Sequence, residues 1–321
     1  MALKSNGRLV FGKIRLAAVQ AESAFIDLDR STEIACNLIE QAAGHGAQLI
    51  GFPETFLPFF PNWYETLPDN ALTRGFDKEL FKNSVEIPGE HIEAVAAACK
   101  RGRISAVVGV NERLAATTGT MFNTQVYITR DGNIQGKHQK YVPTIGERQV
   151  HAPGRTGHYN AFTTDFGAVS TLICGENSNP LGVYAAALHY PLVHVASWPL
   201  YFAPPLPMSE AILTATRGLA YSLKCFVINS VSRVPQAYID AVAGTSEWRT
   251  FLGEQRARKT GATILDPLGR VIADGSGKDE DLLFADVDLE DVIIPKFVHD
   301  FAGHYNRPEL FAPLFGDESR R

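Results

Sequence analysis

The sequence predicts one α/β domain. Amphipathic helix patterns alternate with short apolar strand patterns along its 321 residues, which is typical of chains built from strand-helix-strand units. Two turn signals that contain glycine lie between β-rich arms and predict hairpins. The sequence shows no internal repeat, low-complexity stretch or linker at which a second domain would begin.

The first strand-helix-strand unit lies near the start of the chain. Residues 13–20 have a strand pattern, and residues 31–46 have an amphipathic helix pattern in which Ser31 is placed to cap the first turn. Residues 47–55 follow as a buried strand that Pro53 stops.

A second helix pattern covers residues 88–102, with Pro88 at its start and Gly102 at its end. It leads directly into a strand pattern at residues 104–112. This alternation implies crossover connections between strands.

The rest of the chain adds two hairpins. Asp131 and Gly132 form a turn signal between two β-rich arms, and residues 262–274 repeat this pattern. Two buried strands and a helix between them are predicted at residues 191–199, 224–233 and 209–223.

Composition argues against several classes of protein. The chain has 30 Lys and Arg against 35 Asp and Glu, and one short basic cluster at residues 256–259, so it lacks the positive surface that nucleic acid requires. No apolar stretch is long enough to span a membrane, and the N-terminus lacks an apolar signal core. The four cysteines have neither the spacing of a zinc site nor a disulfide pattern. These features predict a cytoplasmic protein with a small-molecule partner and no metal.

Three strand patterns end on reactive groups. Glu54 follows "LIGFP", Lys140 ends the second arm of the first hairpin, and Cys174 ends "VSTLI". A thiol becomes a good nucleophile as the thiolate, which a nearby ammonium favours while a carboxylate accepts the proton. Together the three groups supply a nucleophile, a general base and a cation for developing charge. They predict a hydrolase that requires no metal.

These groups lie in three segments, "FPET" at residues 52–55, "GKHQKYVPTIGER" at 136–148 and "LICGEN" at 172–177. In order, spacing and flanking residues they resemble the signature segments of the nitrilase, or carbon-nitrogen hydrolase, superfamily. Segments similar to the true nitrilase branch are "LPFFPNWYE" at residues 57–65, "NPL" at 179–181, "HVASWP" at 194–199 and "FAGHYNRPELF" at 301–311.

The resemblance implies a four-layer αββα sandwich that forms a single domain over residues 1–321. It also implies a homo-oligomer, in which subunits stack into dimers that are often extended into spirals. The C-terminal extension at about residues 290–321 is expected to take part in that assembly.

The resemblance further implies how the site works. Cys174 matches the nucleophile, Glu54 the general base, and Lys140 the cation beside the tetrahedral intermediate. Glu147 matches a fourth family position, whose role is positioning and the handling of protons or water within the site. The expected reaction converts a nitrile and water to a carboxylic acid and ammonia through a thioimidate and a thioester on Cys174, with no cofactor. The backbone N–H of Gly175 would help to stabilise the developing anion.

Five residues are predicted to contact substrate. Phe60 and Tyr64 belong to a long, irregular, aromatic segment after Glu54 that could form a pocket wall or a subunit contact. Trp198 ends another strand pattern, and Gly175 adjoins the nucleophile. The fifth residue, His138, is expected to share a strand face with Lys140, where it would line the site or support it.

Alternative functions start from the same residues. A Cys-His mechanism would use His138, His189 or His194 as the base, although a structural role is the simpler interpretation of these histidines. An amidase, or an enzyme that stops at the amide, would use the same Glu-Lys-Cys set. A non-catalytic assembly protein would be expected to lack one of the three groups, and all three are present.

The chain departs from the nitrilase pattern at three places. Nitrilases usually show an aromatic residue and then Gly-Asp-Gly after the Glu-Arg pair, whereas this chain has "QVHAPGRTG" at residues 149–157, with Arg155 and Thr156 in place of Asp and Gly. Gly175 stands where many relatives carry Trp, which is expected to reshape the pocket. Residues 233–260 differ from the short Gly-rich passage of relatives, which affects the surface and assembly.

Overall fold

The computed structural model describes residues 11–67, 71–202, 207–242 and 246–316. Within these residues the centre of the fold is a pair of six-stranded sheets. The strands are β1 (Lys13–Val19), β2 (Leu49–Gly51), β3 (Ser105–Arg113), β4 (Met121–Ile128), β5 (Ile134–Gln139), β6 (Ala161–Thr164), β7 (Gly167–Ile173), β8 (Val193–Trp198), β9 (Phe226–Val231), β10 (Thr263–Leu265), β11 (Val271–Asp274) and β12 (Leu282–Asp288).

Helices cover the outer faces and the ends of the sheets. They are α1 (Leu28–Gly44), α2 (Trp63–Thr66), α3 (Ala71–Lys82), α4 (Glu90–Gly102), α5 (Pro180–Ala187), α6 (Met208–Leu223), α7 (Gln236–Val242), α8 (Ser246–Arg258), α9 (Ile293–Val298) and α10 (Pro313–Gly316). Short 3-10 helices occur at Ile145–Gln149, Cys174–Ser178, Leu289–Val292 and Pro308–Leu310. Among the described residues, no helix is both long enough and apolar enough to cross a membrane.

The two sheets have matching topologies. The first has the order β12-β1-β2-β3-β4-β5, and the second has the order β11-β10-β9-β8-β7-β6. In each sheet the central strands, β1 to β3 and β7 to β9, are parallel, and the flanking strands are antiparallel. Because central parallel strands point the same way, their carboxyl ends gather at one end of each sheet.

The layers form the αββα sandwich that the resemblance implies. α1 and α4 pack together over one face of the first sheet, and α5 and α6 pack over the second. A separate apolar core fills the space between the sheets, with Leu16, Leu49 and Val107 from the first facing Val195 and Ile228 from the second. The predicted fold class is therefore confirmed.

β2 is shorter than the predicted strand at residues 47–55, because it pairs only over Leu49–Gly51. The sheets approach closely at Gly51, where an added Cβ would lie 2.8 Å from the side chain of Val195. Ser230 Oγ also donates to the Gly51 carbonyl at 2.7 Å. The chain leaves the sheet after this contact and continues directly to Glu54.

The predicted cap of α1 is wrong. The helix begins at Leu28, and its N-cap is Asp27, whose carboxylate accepts the Arg30 N–H at 2.9 Å. Ser31 lies inside the helix, and its hydroxyl accepts the backbone N–H of Ala24 at 3.0 Å. Asp27 already satisfies a first-turn donor, so the helix starts one turn earlier than the apolar pattern indicates.

Most other predicted elements are confirmed at or near their predicted bounds. α4 ends at Gly102 as predicted, although it begins at Glu90 rather than at Pro88. β4 and β5 pair antiparallel around Asp131 and Gly132, and Gly132 has the positive φ, +79°, that such a turn favours. β10 and β11 form the second predicted hairpin.

The aromatic segment after Glu54 is more ordered than the sequence predicts, because it contains α2 and α3. Asp77 of α3 accepts hydrogen bonds from Trp63 Nε1, at 3.1 Å, and from the Tyr64 hydroxyl. Phe59 and Trp63 are fully buried in one aromatic cluster. These side chains give the segment a small core of its own, which supports helices where the sequence lacks a clear helical period.

Candidate active site

Lys140 joins two carboxylates immediately after β5. Its Nζ donates to Glu54 Oε1 at 2.7 Å and to Glu147 Oε2 at 2.6 Å. None of the three residues is more than 3% exposed. Burial alone would lower the pKa of Lys140, but the carboxylates of Glu147 and Glu54 raise it well above its usual value. Lys140 is therefore a fixed cation between two acids.

Asn123 on β4 makes a second bridge between the same carboxylates. Its Nδ2 donates to Glu54 Oε1 and to Glu147 Oε1, each at 2.7 Å. The backbone carbonyl of Asn123 accepts the backbone N–H of Lys140 at 2.8 Å, so this one residue holds Glu54, Glu147 and Lys140. The sequence prediction missed Asn123, although a polar residue inside an otherwise apolar strand is a signal of a buried network.

Glu147 is saturated with donors. Its Oε2 also accepts the backbone N–H of Thr144 at 2.9 Å, in a capping box that begins the 3-10 helix. Its Oε1 also contacts Nδ1 of His151 at 3.2 Å. Burial alone would raise the pKa of Glu147, but Lys140 and His151 lower it well below its usual value. Glu147 is therefore ionised, and both of its oxygens are occupied.

Glu54 has one carboxylate oxygen without a hydrogen-bond partner among the described residues. Its Oε1 accepts from Lys140 and Asn123, whereas its buried Oε2 has no hydrogen-bond partner among the described residues. Burial raises the pKa of Glu54 to about 7, with Lys140 opposing the rise and Glu147 adding to it. A carboxylate with a free oxygen and this pKa is suited to take up and return a proton near neutral pH.

Cys174 lies in the sharp turn that follows β7. Its φ of +50° is left-handed and strained for a residue with a Cβ, as functional turns often are. Only 6% of the residue is exposed. Burial, and then the charge of Glu54, raise the pKa of the thiol well above its usual value, while Lys140 and the N–H of Gly175 act to lower it. At rest Cys174 is a neutral thiol beside an acid, a cation and a backbone donor.

Glu176 fixes the turn that carries Cys174. Its Oε2 accepts the backbone N–H of Ile173 at 2.9 Å and Nε2–H of His138 at 2.8 Å. Its Oε1 accepts the backbone N–H of Tyr141 at 2.6 Å. The carboxylate thus ties the turn after β7 to the turn after β5. The sequence prediction assigned no role to Glu176, although a glutamate inside a buried signature segment is itself a signal.

His194 also supports this turn. Its Nε2 donates to Asn177 Oδ1 at 2.9 Å, and Asn177 Nδ2 donates to the Cys174 carbonyl at 2.9 Å. The Ser170 hydroxyl lies 2.8 Å from His194 Nδ1 and donates to it. Burial lowers the pKa of His194 to about 3, so the ring is neutral and both nitrogens are occupied.

The other two histidines of the alternative Cys-His mechanism also lie in other contacts. His138 is fully buried and bonds to Glu176, and half-buried His189 packs its ring 5.3 Å from that of Tyr159. Within the described residues, no hydrogen bond connects either ring, or that of His194, to Cys174. This arrangement favours the Glu-Lys-Cys set.

Trp198 and Gly175 lie close to the reactive groups. The Trp198 carbonyl accepts the backbone N–H of Glu54 at 3.1 Å, and its indole N–H donates to Asn229 at 2.9 Å. The Trp198 ring belongs to the same apolar cluster as Cys174. An added Cβ at Gly175 would meet nothing within 4 Å, so there is open space beside the nucleophile at this position. Their contact with substrate stays a prediction.

Phe60 and Tyr64 belong to the aromatic cluster above α3. Phe60 is 5% exposed, and Tyr64 packs against the 3-10 helix of Glu147, where an added Cβ at Gly146 would lie 2.9 Å from the Tyr64 Cβ. Tyr64 therefore supports the site from the side of Glu147. Substrate contact by Phe60, Tyr64 and His138 also stays a prediction.

The loop that departs from the nitrilase pattern packs along the end of β5. The backbone N–H of Gln139 donates to Thr156 Oγ1, and the backbone N–H of Arg155 donates to Gln139 Oε1, each at 2.9 Å. The Arg155 guanidinium lies 5.3 Å from the centre of the Phe122 ring. An added Cβ at Gly154 would lie 2.3 Å from the Gln139 carbonyl oxygen. The loop thus holds the residue that precedes Lys140.

The structure brings the four predicted catalytic side chains, Glu54, Lys140, Glu147 and Cys174, into one buried cluster. Across the described residues, no group of three or more His, Cys, Asp or Glu side chains is arranged to hold a metal ion. The arrangement can deliver a sulfur nucleophile to an electrophilic carbon, move its proton to a carboxylate and stabilise the resulting charge.

Comparison with known proteins identifies the family to which the chain is similar. The family described as carbon-nitrogen hydrolase matches residues 15–293. A nitrilase of Bacillus sp. (strain OxB-1) is 34% identical over 316 residues, which are 95% of this chain and 88% of the relative. An aliphatic nitrilase of Rhodococcus rhodochrous is 32% identical over 319 residues, which are 97% of this chain and 81% of the relative.

Solved structures show the same fold. Nit3 of Saccharomyces cerevisiae, described as a member of the nitrilase superfamily, has a TM-score of 0.68 at 18% identity, covering 89% of this chain and 94% of its own. A carbon-nitrogen hydrolase of Helicobacter pylori has a TM-score of 0.68 at 19% identity, covering 89% and 93%. The resemblance to nitrilases predicted from the sequence is confirmed, and the chain belongs to the carbon-nitrogen hydrolase family.

Proposed function

We propose that this protein is a nitrilase that hydrolyses an organic nitrile to a carboxylic acid and ammonia, with Cys174 as nucleophile and Glu54 as general base. One observation carries the proposal. Glu54, with a pKa of about 7 and a free Oε2, lies in the same buried cluster as a neutral thiol and a fixed cation. The similarity to proteins described as nitrilases supports nitriles as the substrate class.

In the first step Glu54 accepts the thiol proton while the Cys174 sulfur attacks the nitrile carbon. An S–C bond forms, one π bond of the C≡N group breaks, and the nitrogen receives the thiol proton from Glu54 to give a thioimidate, which leaves Glu54 ionised for the second step. Lys140 and the N–H of Gly175 stabilise the negative charge that develops on this nitrogen. Both donors are held in place before the reaction, so little reorganisation is required.

In the second step Glu54 removes a proton from a water molecule, which adds to the thioimidate carbon. Glu54 passes this proton to the nitrogen, the proton of the added hydroxyl follows, and the tetrahedral intermediate expels ammonia and leaves a thioester on Cys174. A second water, activated in the same way, releases the carboxylic acid and restores the thiol. Glu147 remains ionised throughout and holds Lys140 and Asn123 in place.

Ammonia release tests the proposal over a panel of aliphatic nitriles, aromatic nitriles, arylacetonitriles and cyanide. The wild-type protein should release ammonia from at least one of them, and Cys174→Ala from none. Cys36→Ala, which removes a half-buried thiol from α1, is the matched control and should retain the wild-type rate. Turnover of any nitrile by Cys174→Ala would refute the role of Cys174.

Product analysis distinguishes the related functions. The proposal predicts acid and ammonia in equal amounts, whereas an enzyme that stops at the amide releases the amide and no ammonia. An amidase would hydrolyse amides and leave nitriles unchanged. A non-catalytic protein would form no covalent adduct at Cys174 with any nitrile, as measured by mass spectrometry of the intact chain.

We also propose that residues 1–321 form a single domain and that the chain works as a cytoplasmic homo-oligomer with its C-terminal segment in the subunit contact. Support for the contact comes from α9, where Ile294, Phe297 and Val298 are 71%, 80% and 68% exposed. Sedimentation of the wild-type protein should show a dimer or larger particle, and Phe297→Ser should shift it towards monomer. An unchanged distribution of particle sizes would place the subunit contact elsewhere. Cell fractionation tests the cytoplasmic location.

A further inference from the structure

His151 lies directly behind Glu147, in the segment where nitrilases usually show an aromatic residue. It is 3% exposed, and its ring lies between two partners. Nδ1 is 3.2 Å from Glu147 Oε1, and Nε2 is 2.8 Å from Asn111 Oδ1. The ring therefore joins Glu147, in the 3-10 helix, to Asn111 on β3.

Both partners of the ring are acceptors. Glu147 is ionised and offers only oxygen lone pairs. The orientation of the Asn111 amide is set by its own donor, because Asn111 Nδ2 donates to the carbonyl of Phe59 at 2.8 Å. Rotating this amide would bring Oδ1 against the Phe59 carbonyl oxygen, so the oxygen must face His151. A neutral imidazole has one N–H and would leave one of these contacts without a proton.

We propose that His151 is a doubly protonated positioning residue that holds Glu147 in place through Nδ1–H and is itself held by Asn111 through Nε2–H. The inference rests on the proposed function, because Glu147 positions Lys140 for the reaction at Cys174.

Charge in the cluster is consistent with this assignment. With Glu54 ionised, the two carboxylates balance the ammonium of Lys140 and the imidazolium of His151. Removing either cation would leave an excess negative charge in a buried site, which is unfavourable. With Nδ1 protonated, the contact from His151 to Glu147 Oε1 becomes a charge-assisted hydrogen bond, which is stronger than one from a neutral donor.

Asn111 extends the connection to the segment after Glu54. Because Asn111 Nδ2 donates to the Phe59 carbonyl, a chain of hydrogen bonds connects that segment through His151 to Glu147. One end of the ring contacts Glu147, four positions earlier in the chain, and the other contacts Asn111, 40 positions earlier on β3. Contacts at both ends restrict the orientation of the ring.

Nuclear magnetic resonance of the ring nitrogens tests the assignment without any activity. In wild-type protein labelled with ¹⁵N-histidine, His151, identified by its loss in His151→Gln, should show two protonated nitrogens at the pH of the assay. A spectrum with one protonated and one unprotonated nitrogen would overturn the proposal. This result stands even if the protein hydrolyses no nitrile, so it is independent of the proposed function.

Kinetics test the positioning role. His151→Phe keeps a ring of similar size but removes both donors, and should lower kcat about tenfold to a hundredfold with little change in KM, because His151 does not contact substrate. His151→Gln, which keeps one neutral donor, should lose less. His158→Phe changes an exposed histidine on the following loop and should match wild type.

A double-mutant cycle separates positioning of Glu147 from a general effect on folding. In a Glu147→Gln background, His151→Phe should reduce kcat further by less than about threefold, because the partner it positions is already lost. Equal fold-losses in both backgrounds, with matched melting temperatures, would show that His151 acts elsewhere and would overturn the proposal.

Discussion

The rate of hydrolysis should follow the ionisation of Glu54. Burial raises the pKa of this carboxyl from 4.5 to about 7. Because the ionised form must accept the proton of Cys174, kcat/KM should rise with pH through about 7 and then level off. At one pH unit below that pKa only about a tenth of the carboxyl is ionised, so kcat/KM should be about tenfold below its plateau, and about a hundredfold below it at two units.

The same raised pKa predicts how stability changes with pH. Protonation of Glu54 is favoured in the folded state, so its contribution is fully present below pH 4.5 and is lost as the pH rises through about 7. A rise from 4.5 to about 7 corresponds to about 3 kcal/mol of unfolding free energy. Glu54→Gln cannot ionise, so this loss should be absent from the variant.

Urea unfolding from pH 5 to pH 8 measures the difference. The unfolding free energy of Glu54→Gln, minus that of wild type, should increase by about 2.5 kcal/mol across the range, because part of the loss in wild type already occurs below pH 5. Glu290→Gln, at an exposed glutamate, is the control and should show no such trend. Parallel pH profiles for wild type and Glu54→Gln, or a kcat/KM profile that levels off near pH 5, would refute the assignment of Glu54 as a base with a raised pKa.

Three further substitutions test the surroundings of the site. Gly109→Ala would place a Cβ 2.1 Å from the Pro53 carbonyl oxygen. It should lower the unfolding free energy by about 1–3 kcal/mol and reduce turnover. An unchanged melting temperature would contradict the close approach of Gly109 to Pro53. Glu176→Gln should leave the circular dichroism spectrum intact but reduce kcat at least about tenfold. The single carbonyl oxygen of Gln cannot replace both carboxylate oxygens that fix the Cys174 turn, and a wild-type kcat would contradict this role. Gly175→Trp should fold normally, since its Cβ has open space, and should change the preference among nitriles in the ammonia assay; an identical preference would show that this position does not border the pocket.

Asn123→Leu provides an independent test of the electrostatics. The amide of Asn123 donates to the ionised form of Glu54 and so helps to lower the pKa of that carboxyl. Its loss should move the rise in kcat/KM to higher pH by about 1 unit. A rise at the wild-type pH, with lower kcat, would mean that Asn123 acts through geometry alone.

Local sequence patterns predicted the elements whose boundaries depend on neighbouring residues. The turn at Asp131 and Gly132 and the end of α4 at Gly102 are confirmed, because turn and cap preferences act over a few residues. The start of α1 was harder to predict, because Asp27 and Ser31 are both residue types that cap helices well. In the structure Asp27 caps the first turn, and the Ser31 hydroxyl instead accepts the backbone N–H of Ala24. The aromatic segment after Glu54 folds through contacts with α3 that a periodic pattern does not reveal.

The sequence by itself determined the chemical types at the ends of three strand patterns, namely a thiol, an amine and a carboxylate. It also determined the family resemblance, which added Glu147 as the second carboxylate. Only the tertiary structure decided which carboxylate can accept a proton and which one holds the other groups in place. It saturates Glu147 with donors and leaves one oxygen of Glu54 free, and it places Asn123, His151 and Glu176 around them. The physical reason is that burial and partners far along the chain determine the pKa of a carboxyl group and which of its lone pairs are free, and both are set only in the folded chain.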